Sequence, residues 1–167
     1  MSWRFKMKRK PPPEGWDLIE PTIEMYEQKM KEAVEEPHEG MRKAMSTWMI
    51  TKLHFEKNRF IYEAHYKDKK ISKELYEWLV DMKLADQMLI AKWRKPGYET
   101  LCSLMAITKN NTAFGTASIC RVPIKARSGT ITPAVNTGCI SCASGDGGPI
   151  WWNDPRPDFN KDRRDDI

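Results

Sequence analysis

Apolar side chains recur at intervals of three and four residues from about Thr22 to Trp93, the repeat of helices with one buried face, and lose that rhythm after Tyr98. Ile23, Tyr26, Met30 and Ala33 fall on one face of a first helix, which the pattern starts at Thr22 and ends before Pro37. A second helix is predicted from about Glu39 to Tyr66, with Met45, Met49, Leu53, Phe60 and Ala64 as its stripe. A methionine-rich stripe of this kind reads as core packing rather than as a cofactor box. After the polar break Lys67-Asp68-Lys69-Lys70, Ser72 can cap a third helix facing inward through Leu75, Trp78, Leu79 and Met82. Asp86 can cap a fourth, with Leu89 and Trp93 inward and Pro96-Gly97 as its stop. Residues 22–99 therefore read as a small helical bundle.

Residues 100–145 are rich in Thr, Ser, Gly, Ala and Asn, with short β-like pieces such as Ser118-Ile119-Cys120-Arg121-Val122. They hold too little apolar mass for an independent core, and a region of this kind needs a metal, a covalent staple or a partner surface. Residues 1–21 form a basic, proline-rich arm in which Pro11-Pro12-Pro13 favours an extended polyproline stretch. Residues 146–167 read as a flexible tail unless Trp151 and Trp152 dock. The expected fold class is mainly α, a helical bundle followed by an irregular, cysteine-containing region resembling a zinc module.

Composition adds two points. Seven Trp and ten Met in 167 residues exceed what a disordered chain carries, so a core is expected despite 31% charged residues. No apolar run approaches the roughly 18 residues that span a bilayer. The first ten residues hold five bases and no apolar stretch, so no secretory leader is expected and the thiols should stay reduced. The net charge of +5 is concentrated in the run Arg4, Lys6, Lys8, Arg9 and Lys10, which suits a polyanion, an import receptor or simply solvent.

The chemistry on offer is sulfur. Cys139 and Cys142 are spaced C-x-x-C, with which one turn brings two thiolates to one metal ion, and Cys102 and Cys120 could complete a tetrahedral zinc site. A redox role for the pair is the weaker reading, since no buried strand leads into a helix there. His38, His54 and His65 have no nucleophile partner; a metal role for His54 and His65 is conceivable, but packing is the simpler reading. No phosphate-binding glycine loop is present, and no enzyme activity is expected.

Several collinear blocks carry a resemblance. They are Lys10-Pro11-Pro12-Pro13-Glu14-Gly15-Trp16 with Ile19-Glu20-Pro21-Thr22, Glu36-Pro37-His38-Glu39-Gly40, and the stretch from Arg59 to Trp78. Ala85-Asp86, Leu89-Ile90-Ala91-Lys92-Trp93, Gly97-Tyr98-Glu99, Phe114-Gly115-Thr116 and Ile119-Cys120-Arg121-Val122-Pro123 follow in order. Over roughly residues 8–145 the chain resembles the bud-site-selection, or G-ten, family of small nuclear splicing factors. The resemblance implies a non-catalytic component of the spliceosome's active core in the nucleus, contacting small nuclear RNA and other splicing proteins. It implies a helical N-terminal part and a cysteine-rich C-terminal part holding a cluster of zinc ions. Neither a membrane nor a small-molecule substrate belongs to that picture.

Of the nine cysteines the resemblance implies, four are present; Ser103, Ala106, Ser118, Ala134 and Thr137 stand at the other positions, and Asn136 stands where the family carries histidine. Ser, Ala and Thr supply no soft thiolate, so the multi-zinc cluster is not expected and zero or one ion is. The RNA contacts then fall to Arg4, Lys6, Lys8, Arg9 and Lys10, with Arg59 and Lys92 on the helical part as a second tier. Two rivals stand beside this reading. One is a regulatory paralogue that binds splicing or transcription partners through the helical part without zinc. The other is a thiol enzyme using Cys139 and Cys142.

Overall fold

The computed structural model describes residues 10–37, 39–40, 43–108, 117–155 and 158–160. Among these the fold is mainly helical: α1 spans Trp16–Glu35, α2 Trp48–Tyr62, α3 Lys73–Asp81 and α4 Gln87–Trp93. A 3-10 turn, Lys43–Thr47, precedes α2, and a π-helical turn, Glu63–Lys67, continues it. Beyond α4 the described residues form the short 3-10 turns Leu104–Ile107, Ile119–Arg121 and Ile124–Ala126. The piece around Cys120 that reads as β-like is thus a helical turn. Among the described residues no strand forms, and the ladder pairing is the isolated antiparallel bridge between Cys139 and Trp151.

Two compact units divide the chain, one made of Met1–Glu36 with Leu53–Ile90 and the other of Pro37–Lys52 with Ala91–Ile167. In the first, α1 begins at Trp16, six residues before the expected start, and Pro21 sits inside it. Tertiary burial overrides the proline. Trp16 is 3% exposed, Ile19 and Ile23 are buried with it, and the Trp16 ring meets Trp78 edge-on at 4.9 Å. Gly15, at φ 98, makes the left-handed turn into the helix.

The expected stripe of α2 matches the buried side at Leu53 and Ala64 and misses it elsewhere. Trp48, Thr51, Leu53, Lys57, Asn58, Ile61 and Ala64 are buried, while Met45, Met49 and Phe60 are half-buried. Three polar residues on the buried side, Thr51, Lys57 and Asn58, hide the pattern, and each is satisfied, Thr51 by donating to the Thr47 carbonyl at 3.1 Å. Lys57 pairs with Glu27 at 3.1 Å. Asn58, fully buried, donates to the His54 carbonyl at 2.9 Å and accepts from the Asp86 amide at 2.7 Å.

α3 and α4 form as the pattern predicts. The Ser72 hydroxyl accepts from the Leu75 amide at 3.1 Å, and Leu75, Trp78, Leu79 and Met82 are all buried. Asp86 Oδ1 accepts from the Leu89 amide at 3.1 Å, capping α4. No described helix is long and apolar enough to cross a membrane.

Candidate metal centre

The second unit is built around sulfur. Leu101 is held by its carbonyl, which accepts from the Trp93 indole at 2.8 Å, and this fixes the approach of Cys102. Cys120 sits in the turn Ile119–Arg121. The Cys142 amide donates to the Cys120 carbonyl at 2.9 Å, joining the C-x-x-C loop to that turn. Cys139 is set by its bridge to Trp151 and by its amide, which donates to the Thr137 hydroxyl at 3.3 Å.

All four thiols are fully buried, and their Sγ atoms lie within 4.8 Å of one another. Cys120 Sγ is 3.8 Å from Cys102 Sγ and 3.8 Å from Cys142 Sγ. Zinc–thiolate bonds of about 2.3 Å at the tetrahedral angle put neighbouring sulfurs about 3.8 Å apart, whereas a disulfide would need about 2.05 Å. None of the cysteines is disulfide-bonded. The residues therefore fit one tetrahedral zinc, and all four cysteines of the chain belong to this one centre.

The thiols differ sharply in acidity. Burial pushes the Cys139 thiol far above the ordinary range. Hydrogen bonds from the other three thiols, with a further one from Arg121, draw Cys142 far below it. A divalent ion must displace the protons that the thiols carry, so affinity for it rises with pH.

Four of the five positions where the resemblance places further cysteines are buried, and two of the side chains there bond the backbone. Ser103 accepts from the Met105 amide at 3.2 Å, and Thr137 holds Cys139 as described. Ala106 and Ala134 are buried, and the half-buried Ser118 donates its amide to the Ala106 carbonyl at 2.7 Å.

Sequence reasoning missed two parts of the site. Arg121 reaches Cys142: its Nη1 donates to that residue's Sγ at 3.4 Å and to its carbonyl. The expected tail also contributes, since Ile150 and Trp151 are buried and the Ile140 amide donates to the Ile150 carbonyl at 2.6 Å. The Trp152 amide donates to the Gly138 carbonyl at 3.0 Å, and Lys52 Nζ binds Asp154 at 2.9 Å.

Of the expected RNA contacts, Arg4, Lys6, Lys8 and Arg9 lie outside the described residues. Lys10 pairs with the Asp81 carboxylate, and its carbonyl accepts from the Trp78 indole at 3.0 Å. Arg59 lies 3.5 Å from Glu63 with its guanidinium 5.0 Å over the Tyr62 ring, and Lys92 lies 5.2 Å over Tyr98. His38 is outside the described residues. His54 faces Asp86 at 3.2 Å, and His65 stacks on Tyr76 at 4.6 Å, which accounts for both by packing and pairing.

Fold and site together define a small helical protein that carries a buried four-cysteine centre of the structural metal type. Residues 1–144 match the family model of the pre-mRNA-splicing factor BUD31. The chain is 50% identical over 141 residues to the Protein BUD31 homolog of Branchiostoma belcheri, covering 84% of this chain and 98% of that one. It is 41% identical over 155 residues to the pre-mRNA-splicing factor BUD31 of Saccharomyces cerevisiae, covering 86% and 99%. With the pre-mRNA-splicing factor cwf14 of Schizosaccharomyces pombe it shares 41% over 140 residues, covering 83% and 95%. The chain belongs to the BUD31 family, as its sequence blocks led us to expect. Ile150 and Trp151, which pair with Ile140 and Cys139, lie beyond the matched residues.

Proposed function

We propose that this protein is a non-catalytic structural component of the nuclear pre-mRNA-splicing machinery, holding RNA and protein contacts near its catalytic core. Its membership of a family whose relatives are named pre-mRNA-splicing factors carries this reading. One zinc at Cys102, Cys120, Cys139 and Cys142 supplies the staple that a region poor in apolar mass requires. The four-thiol convergence favours this reading over the metal-free regulatory paralogue. Arg4, Lys6, Lys8, Arg9 and Lys10 neutralise phosphates of small nuclear RNA, with Arg59 and Lys92 as further contacts.

The test is affinity purification of the tagged chain from nuclear extract, with its RNA identified by hybridisation. Spliceosomal small nuclear RNA and splicing proteins are expected with the wild-type chain. Replacing the five basic residues of the arm by Ala is expected to weaken binding and flatten its salt dependence, by roughly 0.7 in logarithmic slope for each phosphate of single-stranded RNA no longer neutralised. Recovery of splicing proteins without RNA, unaffected by chelator, would favour the regulatory paralogue. Recovery of neither would overturn the proposal.

A further inference from the structure

This inference rests on the zinc reading of the four-cysteine centre and concerns how the chain carries its charge. Four thiolates around one divalent cation bear a formal charge of about −2, and an uncompensated buried charge is costly. Hydrogen bonds and cations placed just outside the ligands are the general remedy. Arg121 is so placed. It follows Cys120 directly, its Nη1 donates to Cys142 Sγ at 3.4 Å and to the Cys142 carbonyl, and its Nη2 donates to the Gly97 carbonyl. Its guanidinium also lies 5.0 Å over the Tyr98 ring, which fixes the plane of the fork. One side chain thereby ties the turn of one ligand to the sulfur of another.

Arg127 adds a second positive charge at the same centre. It is 8% exposed, and its Nε donates to the Val122 carbonyl at 2.8 Å. Burial lowers its pKa, and the charges of Cys120, Asp146, Cys139 and Cys142 act against that. The Asp146 carboxylate, which accepts from the Ile124 amide at 3.0 Å and from Ser141, offsets part of this charge. Arg121 bonds a ligand sulfur directly, at Cys142.

We propose that Arg121 is the positioning residue of the metal centre. Its hydrogen bond and permanent positive charge stabilise the four cysteines as thiolates around one divalent ion and set how firmly that ion is kept. The test uses the full chain, wild type and the variants Arg121→Met and Arg121→Lys, loaded with zinc and separately with cobalt(II). Zinc transfer to a chromophoric chelator and the sulfur-to-cobalt charge-transfer band are read on each. Arg121→Met is expected to weaken zinc retention by about 10- to 100-fold and to shift the band to lower energy, because the sulfur loses a donor. Arg121→Lys keeps the charge without the fork, and intermediate retention is expected.

Arg121→Met retention within about twofold of wild type, with an unmoved band, overturns the proposal while leaving the zinc reading intact. A wild-type chain that takes up no zinc overturns both. Should Arg121→Met not fold, Arg121→Lys decides: behaviour identical to wild type in both readouts overturns the proposal, and weakened retention with a shifted band supports it.

Discussion

Gly138 stands one residue before Cys139, at φ 76, where an L side chain is strained. A Cβ there would come within 2.8 Å of Trp152 Cε3 and of Cδ2 and Cγ of Trp48. Neither ring yields easily. The Trp48 indole donates to the Val135 carbonyl at 2.7 Å, and the Trp152 amide is bonded to the Gly138 carbonyl itself. For Gly138→Ala the left-handed backbone costs about 1–2 kcal/mol and the overpacking a further 1–3 kcal/mol. The sum, about 2–5 kcal/mol, is a large share of the ~5–15 kcal/mol that holds a typical domain folded. Gly129→Ala separates the two effects, because Gly129 has φ 73 but nothing within 4 Å of its Cβ position. Urea unfolding followed by tryptophan fluorescence is the assay, and Gly138→Ala is expected to lose more than Gly129→Ala by the crowding term alone. Equal losses in the two variants would refute the claim that Trp48 and Trp152 are clamped against Gly138.

Three other outcomes are expected. Asn58→Ala removes the acceptor of the Asp86 amide and should destabilise the chain by about 1–3 kcal/mol in the same unfolding assay. The hydrogen bond with His54, more than any other contact, holds the Asp86 carboxyl below its usual pKa. A depressed carboxylate stabilises the fold above its unfolded pKa near 4 and ceases to as pH falls through its lower folded value, so the stability gap between wild type and Asp86→Asn should close below about pH 4. Deleting residues 150–167 removes the Ile150 and Trp151 packing, and alkylation of zinc-free protein, read by mass spectrometry, should then modify Cys139 markedly faster than in the full chain.

Helices α3 and α4 were legible because their signals are local: a capping Ser72 or Asp86 and an apolar face in register. The start of α1 was hidden by Pro21, whose local preference loses to the burial of Trp16 against Trp78. The face of α2 was read only in part, at Leu53 and Ala64, because Lys57 and Asn58 are buried through partners that lie far away in sequence, at Glu27 and Asp86. With only four cysteines, the metal set could be named from the sequence. Its surroundings could not. Arg121 reads as a surface base until the Cys142 sulfur is placed beside it, and the return of Ile150 to Ile140 is a backbone pairing that no side-chain pattern announces.

The central claim is a single zinc held by Cys102, Cys120, Cys139 and Cys142, and native mass spectrometry of the purified chain, with and without chelator, tests it most directly. One ion per chain is expected, lost on chelation together with the protection of all four thiols against alkylation. A metal-free chain with protected thiols would contradict the claim, and so would two or three ions per chain, because four cysteines complete one tetrahedron only.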